Sequence, residues 1–410
     1  MKSTKLSLVA TIAILGMFSG VNASEFDEAF TNGTVTGDAT VTYETRDFSG
    51  TDTDAYYSSD NAYAVASSEL IYKTAKFYDF SVTYGMRGYK ALWEDDTTST
   101  VNGTGDASSR FYNLDSGDTA QISNAYLAYN TKIIDAKFGR QKISGDWINK
   151  THDAVNITVN PMEKLAVGLI WTNTKDMRVL ARDLRALNND INGNDGIYKL
   201  DVTYKIMDSL KATGYALLAP THHSVYGAKV MLDTKANDVS FGGFAHYMQT
   251  NEETSENIVG SNLTNANKDS GSMAYAKAYV GYAGYKAALG YIKTGEDIGW
   301  GSANAAGETI DPFEEGDALF RVDSRVTYVT LSKTIAGLSL SAIYGITDYR
   351  DSKDSTQLKE TEFCLWAGYD LTEKLNLSAI YTFVDGDKDS IGYTPQEDFT
   401  QVSTTLAYKF

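Results

Sequence analysis

The chain has one cysteine, four prolines, four histidines and no long apolar segment beyond its first residues. A single cysteine, Cys364, excludes an intramolecular disulfide framework. Nothing after Ala23 approaches the run of about 18 apolar residues that a membrane-spanning helix requires. Any membrane-embedded form must therefore be a closed sheet, because hydrocarbon leaves an open sheet edge unpaired. Basic residues are also scarce, 36 Lys and Arg against 53 Asp and Glu, for a formal charge of −17. That balance argues against nucleic acid as a partner, since phosphate binding needs a basic surface. No G-x-S-x-G elbow and no zinc-ligand spacing occurs, so the chain is not expected to be an enzyme. His152 and His246 are expected to line water rather than activate a nucleophile.

What the chain does have is alternation. In its last nine residues, Val402, Thr404, Leu406, Tyr408 and Phe410 fall on one side of an extended strand and Ser403, Thr405, Ala407 and Lys409 on the other. One greasy face, one wetter face and an aromatic end fit a strand closing a barrel in lipid. At the other end, Lys2 and Lys5 precede a mostly apolar run from Leu6 to Phe18, and Val21-Asn22-Ala23 offers a small-residue cleavage site. These are the parts of a secretory signal peptide. Residues 1–23 are expected to be removed, leaving 24–410 as one domain, and losing two lysines takes the charge from −17 to −19.

Between the ends, eighteen period-2 segments recur, from a core at 37–47 to one at 399–410. Their connections alternate. Thr74–Asp79, Thr131–Ile134, Asn160–Lys164, Lys205–Ser209, Ala283–Tyr285 and Ser332–Gly337 are short, whereas 90–120, 173–196, 249–273, 294–318 and 385–398 are long and rich in Asp, Asn, Gly and Thr. Pro161, Pro220, Pro312 and Pro395 all fall in connections, as a continuous ladder demands. Tyr198, Leu200, Val202 and Tyr204 oppose Lys199, Asp201 and Thr203; Leu338, Leu340, Ala342, Tyr344 and Ile346 oppose Ser339, Ser341 and Thr347. The pattern predicts an all-β, antiparallel transmembrane barrel of 18 strands with short periplasmic turns and long extracellular loops.

So many strands enclose a bore wide enough for water, and the polar inner face predicts passage of ions and small hydrophilic solutes. Inward charges on this assignment include Arg87, Lys199, Lys229, Lys277, Arg321 and Arg325, against Glu44, Glu69, Asp201 and Asp323. Arg321, Asp323 and Arg325 read either as part of a transverse field at a constriction or as salt-bridged struts. Asp176–Leu187 is the one helix-like stretch outside the signal, with Arg178, Arg182 and Arg185 in a basic stripe beside Leu180, Leu184 and Leu187. It reads either as a helix narrowing the channel or as one packed on the rim. The Ser144–His152 connection with Trp147 holds the position of a constriction loop but is short. A net acidic chain predicts a weak cation preference. The rival reading is a surface adhesin or structural barrel with little or no channel activity.

No cofactor is expected, with calcium as the one ion to weigh. Asp385, Asp387 and Asp389 have the alternate spacing of an oxygen-ligand loop, but Ser390 stands where such a loop needs glycine. Glu94-Asp95-Asp96 and Glu314-Glu315-Gly316-Asp317 are acidic clusters, and His222-His223 are adjacent histidines without a third ligand.

Lys2 to Ala10, the Asn22-Ala23 processing end, Phe138-Gly139-Arg140-Gln141-Lys142 leading to Trp147, Leu375 to Ala379 with Tyr381, and Leu406 to Phe410 resemble the major outer membrane porin family of Campylobacter-like bacteria. The resemblance implies an 18-stranded general diffusion porin of the Gram-negative outer membrane, a homotrimer in contact with membrane lipid and lipopolysaccharide. It also implies mild cation selectivity, an adhesin role at the surface and a divalent cation near the channel.

Overall fold

A computed structural model describes residues 23–48, 61–95, 120–176, 196–220, 223–252, 270–300, 306–316, 318–350, 356–387 and 398–410. The proposed leader, residues 1–22, lies outside them. A short helix, α1 (Ala23–Thr31), precedes eighteen strands: β1 (Thr34–Phe48), β2 (Asn61–Lys73), β3 (Phe80–Glu94), β4 (Ala120–Asn130), β5 (Ile134–Ile143) and β6 (Lys150–Met162). Then come β7 (Leu165–Asp176), β8 (Ile197–Met207), β9 (Leu210–Ala219), β10 (His223–Ala236), β11 (Val239–Glu252) and β12 (Ser270–Tyr282). The last six are β13 (Tyr285–Thr294), β14 (Val322–Ile335), β15 (Leu338–Arg350), β16 (Gln357–Asp370), β17 (Leu375–Gly386) and β18 (Phe399–Lys409).

Each strand pairs antiparallel with its sequence neighbours, and β1 pairs with β18 over the run from Asp38↔Lys409 to Phe48↔Phe399. The sheet therefore has no edge, and its ladder hydrogen bonds are satisfied within the ring. Closure also fixes which side chains face out. On β8, Tyr198, Leu200, Val202 and Tyr204 are exposed while Lys199, Asp201 and Thr203 are partly buried, as their alternation predicts. The final strand likewise turns Val402, Leu406, Tyr408 and Phe410 outward.

Short connections are tight because the sequence supplies turn chemistry. Ala283 and Gly284 (φ 49° and 80°) join β12 to β13, and Ala336 and Gly337 (φ 48° and 82°) join β14 to β15. Two successive positive φ values make a type I′ hairpin turn, whose twist matches the flanking strands. Gly337 adopts this φ without the Cβ clash that any other residue would incur.

Two expectations need correction, and a third falls outside the described residues. Pro161 lies within β6 rather than in a connection, but at a register shift between Val159 and Met162, where no ladder donor is needed. The segment before β14 starts as a 3-10 turn at Ala318–Phe320, and the strand begins only at Val322. The helix seen is α1; of Asp176–Leu187, Asp176 ends β7 and the rest lies outside the described residues.

Candidate pore and its inward-folded segments

The bore is not lined by polar groups all round, contrary to expectation. A buried apolar cluster runs along β5 to β16, built from inward positions such as Leu217, Val225, Met248, Ile292, Val326 and Ile343. These strands carry apolar residues on both faces, so alternation alone assigned their apolar content to lipid. Doubly apolar strands are what a sheet shows when something covers its second face.

Two segments from the long-connection end supply that cover. The first, 144–149 after β5, carries Trp147, which has no exposed surface and stacks on Trp300 of the second segment, described over 295–300, 306–316 and 318–320 after β13, with ring centroids 4.4 Å apart. The Trp147 indole N–H donates to the Tyr215 hydroxyl at 2.8 Å, and that hydroxyl lies 2.9 Å from His246 Nε2. Asp146 accepts from Lys229 Nζ at 3.1 Å and lies 3.8 Å from the His246 ring. A buried indole needs such a partner, so Trp147 is held in orientation as well as depth.

The second segment then crosses the inner wall. Asn149 N–H donates to the Ala306 carbonyl at 3.2 Å and Asn149 Nδ2 to the Glu308 carbonyl at 2.8 Å, which ties the two segments together. Phe313 packs edge-on to Tyr328 with centroids 6.2 Å apart and lies over Gly345, where a Cβ would collide with its ring. Beyond it, the Glu362 carboxylate of β16 accepts the backbone N–H groups of Glu314, Glu315 and Gly316 at 2.7, 3.0 and 2.6 Å. Glu315 pairs with Arg46 of β1 at 3.3 Å and accepts from Gln401 of β18 at 2.9 Å. Arg46 also donates to Gln401 Oε1 at 2.8 Å and lies over the Phe399 ring at 4.4 Å. Charged groups out of water persist only when paired and hydrogen-bonded, as these are.

The wall away from the apolar cluster is hydroxyl- and acid-bearing. Thr40 meets Ser67 at 2.7 Å, Thr42 meets Thr405 at 2.9 Å, and Gln121 donates to Tyr89 at 2.7 Å. Asp38, Glu69 and Arg87 are register partners across β1, β2 and β3, which forms a row of inward charges. Across the ring, Lys199, Lys229 and Lys277 also face inward, over the rings of Tyr215, Phe244 and Tyr328 at 5.7, 4.8 and 5.7 Å.

Of the expected pore residues, Arg87, Lys199 and Asp201 face inward, and the last two pair with each other at 3.0 Å. Glu44, Glu69, Lys229 and Lys277 also take the predicted face. The Arg321, Asp323 and Arg325 group does not form an inner ring. A register shift between Val322 and Arg325, with Asp323 at φ 52°, breaks the alternation there, and Arg325 falls in phase with the exposed Thr327, Val329 and Leu331 on the outer face. There it is in register with Lys293 and Asp348 and pairs with Asp323 at 3.1 Å. Arg321 lies outside the strand, and its carbonyl accepts from Thr294 Oγ1 at 2.6 Å. Arg178, Arg182 and Arg185 lie outside the described residues.

Asp387 uses its carboxylate on the Lys359 N–H at 2.9 Å, and Asp385 faces outward opposite Thr361. Asp389, Asp96, Asp317 and His222 lie outside the described residues, among which no group of three metal-ligating side chains assembles. Sequence reasoning missed Arg46, Glu362 and Trp300. The Gly299-Trp300 pair was the available signal, a bulky aromatic beside a glycine in an otherwise polar connection.

No protein family and no curated protein matches the sequence. Solved structures do match the fold. OccAB4 of Acinetobacter baumannii superposes with a TM-score of 0.72 at 13% identity over 93% of this chain and 99% of its own. OpdO of Pseudomonas aeruginosa gives 0.73 at 12% over 94% and 99%. OpdK of Pseudomonas aeruginosa, solved with vanillate, gives 0.70 at 13% over 92% and 98%. The resemblance to the Campylobacter-like major porins gains no support from family or sequence comparison, and at these identities the match carries the fold alone. That fold is the closed 18-stranded antiparallel barrel.

Proposed function

We propose that this chain is a passive diffusion pore of a Gram-negative outer membrane, admitting ions and small hydrophilic solutes with a weak preference for cations. The observation that carries this reading is the uneven bore: the apolar cluster runs along β5 to β16, while the inner positions of β1 to β4 and β18 carry hydroxyls and charged groups. The short turns then face the periplasm and the outward apolar band meets lipid and lipopolysaccharide. Export by a leader cleaved after Ala23, and assembly as a homotrimer, complete the proposal. Planar-bilayer recording in asymmetric KCl tests it. Discrete conductance steps with a reversal potential of cation-selective sign are expected, and an anion-selective sign removes the proposed preference.

A second reading, an adhesin or structural barrel that conducts little, is favoured by one observation. The Trp147–Trp300 stack and the cluster around it pack the side of the bore that alternation assigns to water. Complete absence of conductance from protein that still shows heat-modifiable gel migration selects this reading.

A further inference from the structure

Helix α1 is amphipathic in a way that barrel closure does not use. Phe26, Ala29 and Phe30 share one arc at helical spacing, while Glu25, Asp27 and Glu28 occupy the rest of the surface. Part of the apolar arc packs on the β2–β3 turn. Ala29 is buried and its carbonyl accepts the Ala75 N–H at 2.9 Å, and the Phe26 ring meets Phe77 edge-on at 5.8 Å. The remainder is bare, with Phe30 42% and the neighbouring Tyr78 65% exposed.

Those two rings continue the outward aromatic belt at the short-turn end of the barrel. Tyr72 of β2, whose register partners Val35 and Tyr84 are exposed outward residues, donates its hydroxyl to the Phe30 carbonyl. Phe80 and Tyr129, partners across β3 and β4, pack ring against ring in a tilted pair with centroids 4.7 Å apart. Aromatic side chains at such a belt sit among lipid headgroups, and a helix with one apolar arc and one charged arc lies in that plane.

We propose that α1 is an interfacial anchor: it lies in the headgroup layer of the bilayer leaflet at the short-turn end, with Phe30 toward the acyl chains, the Tyr78 hydroxyl held at the headgroup level by Glu25, and the rest of its acidic arc in water. This rests on the membrane placement of the barrel but not on its conducting anything. The anchor holds the start of β1, the strand that closes the ring on β18.

Spin labels at single cysteines test it, in full-length protein carrying Cys364→Ala and reconstituted in phosphatidylethanolamine-rich vesicles. Labels go at Phe30→Cys, at Asp27→Cys on the acidic arc, and at Leu289→Cys on the outer face of β13. Collisions with dissolved oxygen, which concentrates in acyl chains, are compared with those of a water-soluble nickel chelate. The proposal expects an oxygen-to-nickel ratio several-fold larger at position 30 than at position 27. Free access of nickel to position 30 puts the helix in water and overturns it. Shielding of position 30 from both reagents means protein packing, as against a second copy of the chain, and also overturns it. A label at position 289 that oxygen does not reach removes the membrane placement itself, which separates that failure from failure of the anchor.

Discussion

Arg46 and Glu362 are the two residues whose chemistry most directly holds the second inward segment. Arg46 has no exposed side-chain surface, and its partner Glu315 is 7% exposed. Removing one member of such a pair strands the other, at a cost of about 3–5 kcal/mol, whereas removing both is far milder. Arg46→Ala should therefore lower the temperature of heat-modifiable gel migration more than Arg46→Ala combined with Glu315→Gln. Equal or additive losses in that double-mutant comparison would show that the pair is not coupled. Glu362→Gln is subtler, since the amide oxygen can still accept but the anion that gathers three backbone N–H groups is gone. Charge-assisted hydrogen bonds are worth roughly twice neutral ones, so about 1–3 kcal/mol of the tether should disappear. Larger current fluctuations in single-channel records, at unchanged barrel stability, are the expected signature.

The inward segments act as a unit because two tryptophans join them. Trp300→Ala should cost about 3–5 kcal/mol through lost packing and the cavity left behind. If the segments narrow the bore, conductance should rise at the same time; an unchanged conductance would place them away from the solute path. Gly345→Val makes a complementary test, because a side chain there occupies the space of the Phe313 ring and should displace the segment between Phe313 and Gly316. Strands were legible in the sequence because their period of two follows from the pleat, and each of the eighteen expected cores coincides with an observed strand to within a few residues. The charge row through Glu69 and Arg87 was legible for the same reason. The Arg325 assignment failed because the inward positions of β14 are Val326 and Tyr328, so Arg325 shares the outer face with Val329 and Leu331, and the irregularity at Asp323, which breaks the alternation before it, gives no local sign. The apolar filling of the bore was illegible for another reason. It depends on contacts between residues as distant in sequence as Trp147 and Trp300, and no periodicity encodes those.

At the scale of the whole barrel, the proposed pore would be biased by the signs of charge on opposing walls. The acids Asp38 and Glu69 sit beside Arg87 on one wall, while on the other Lys199 is paired with Asp201 and Lys229 with Asp146. Fixed charges bias a pore only while mobile ions do not screen them, and the screening length falls from about 10 Å at 0.1 M salt to about 3 Å at 1 M. A cation preference that arises from the acidic wall and the −19 charge expected once the leader is removed must therefore weaken as salt rises. Asp38→Asn with Glu69→Gln leaves Arg87 as the remaining charge of that row and should move the reversal potential toward anions. Arg87→Gln should move it the opposite way, and both shifts should be larger at 0.1 M than at 1 M KCl. Reversal potentials that ignore these substitutions would mean that the row lies off the conduction path. Shifts that persist undiminished at high salt would mean that ions are held by contact, rather than by the field of the wall.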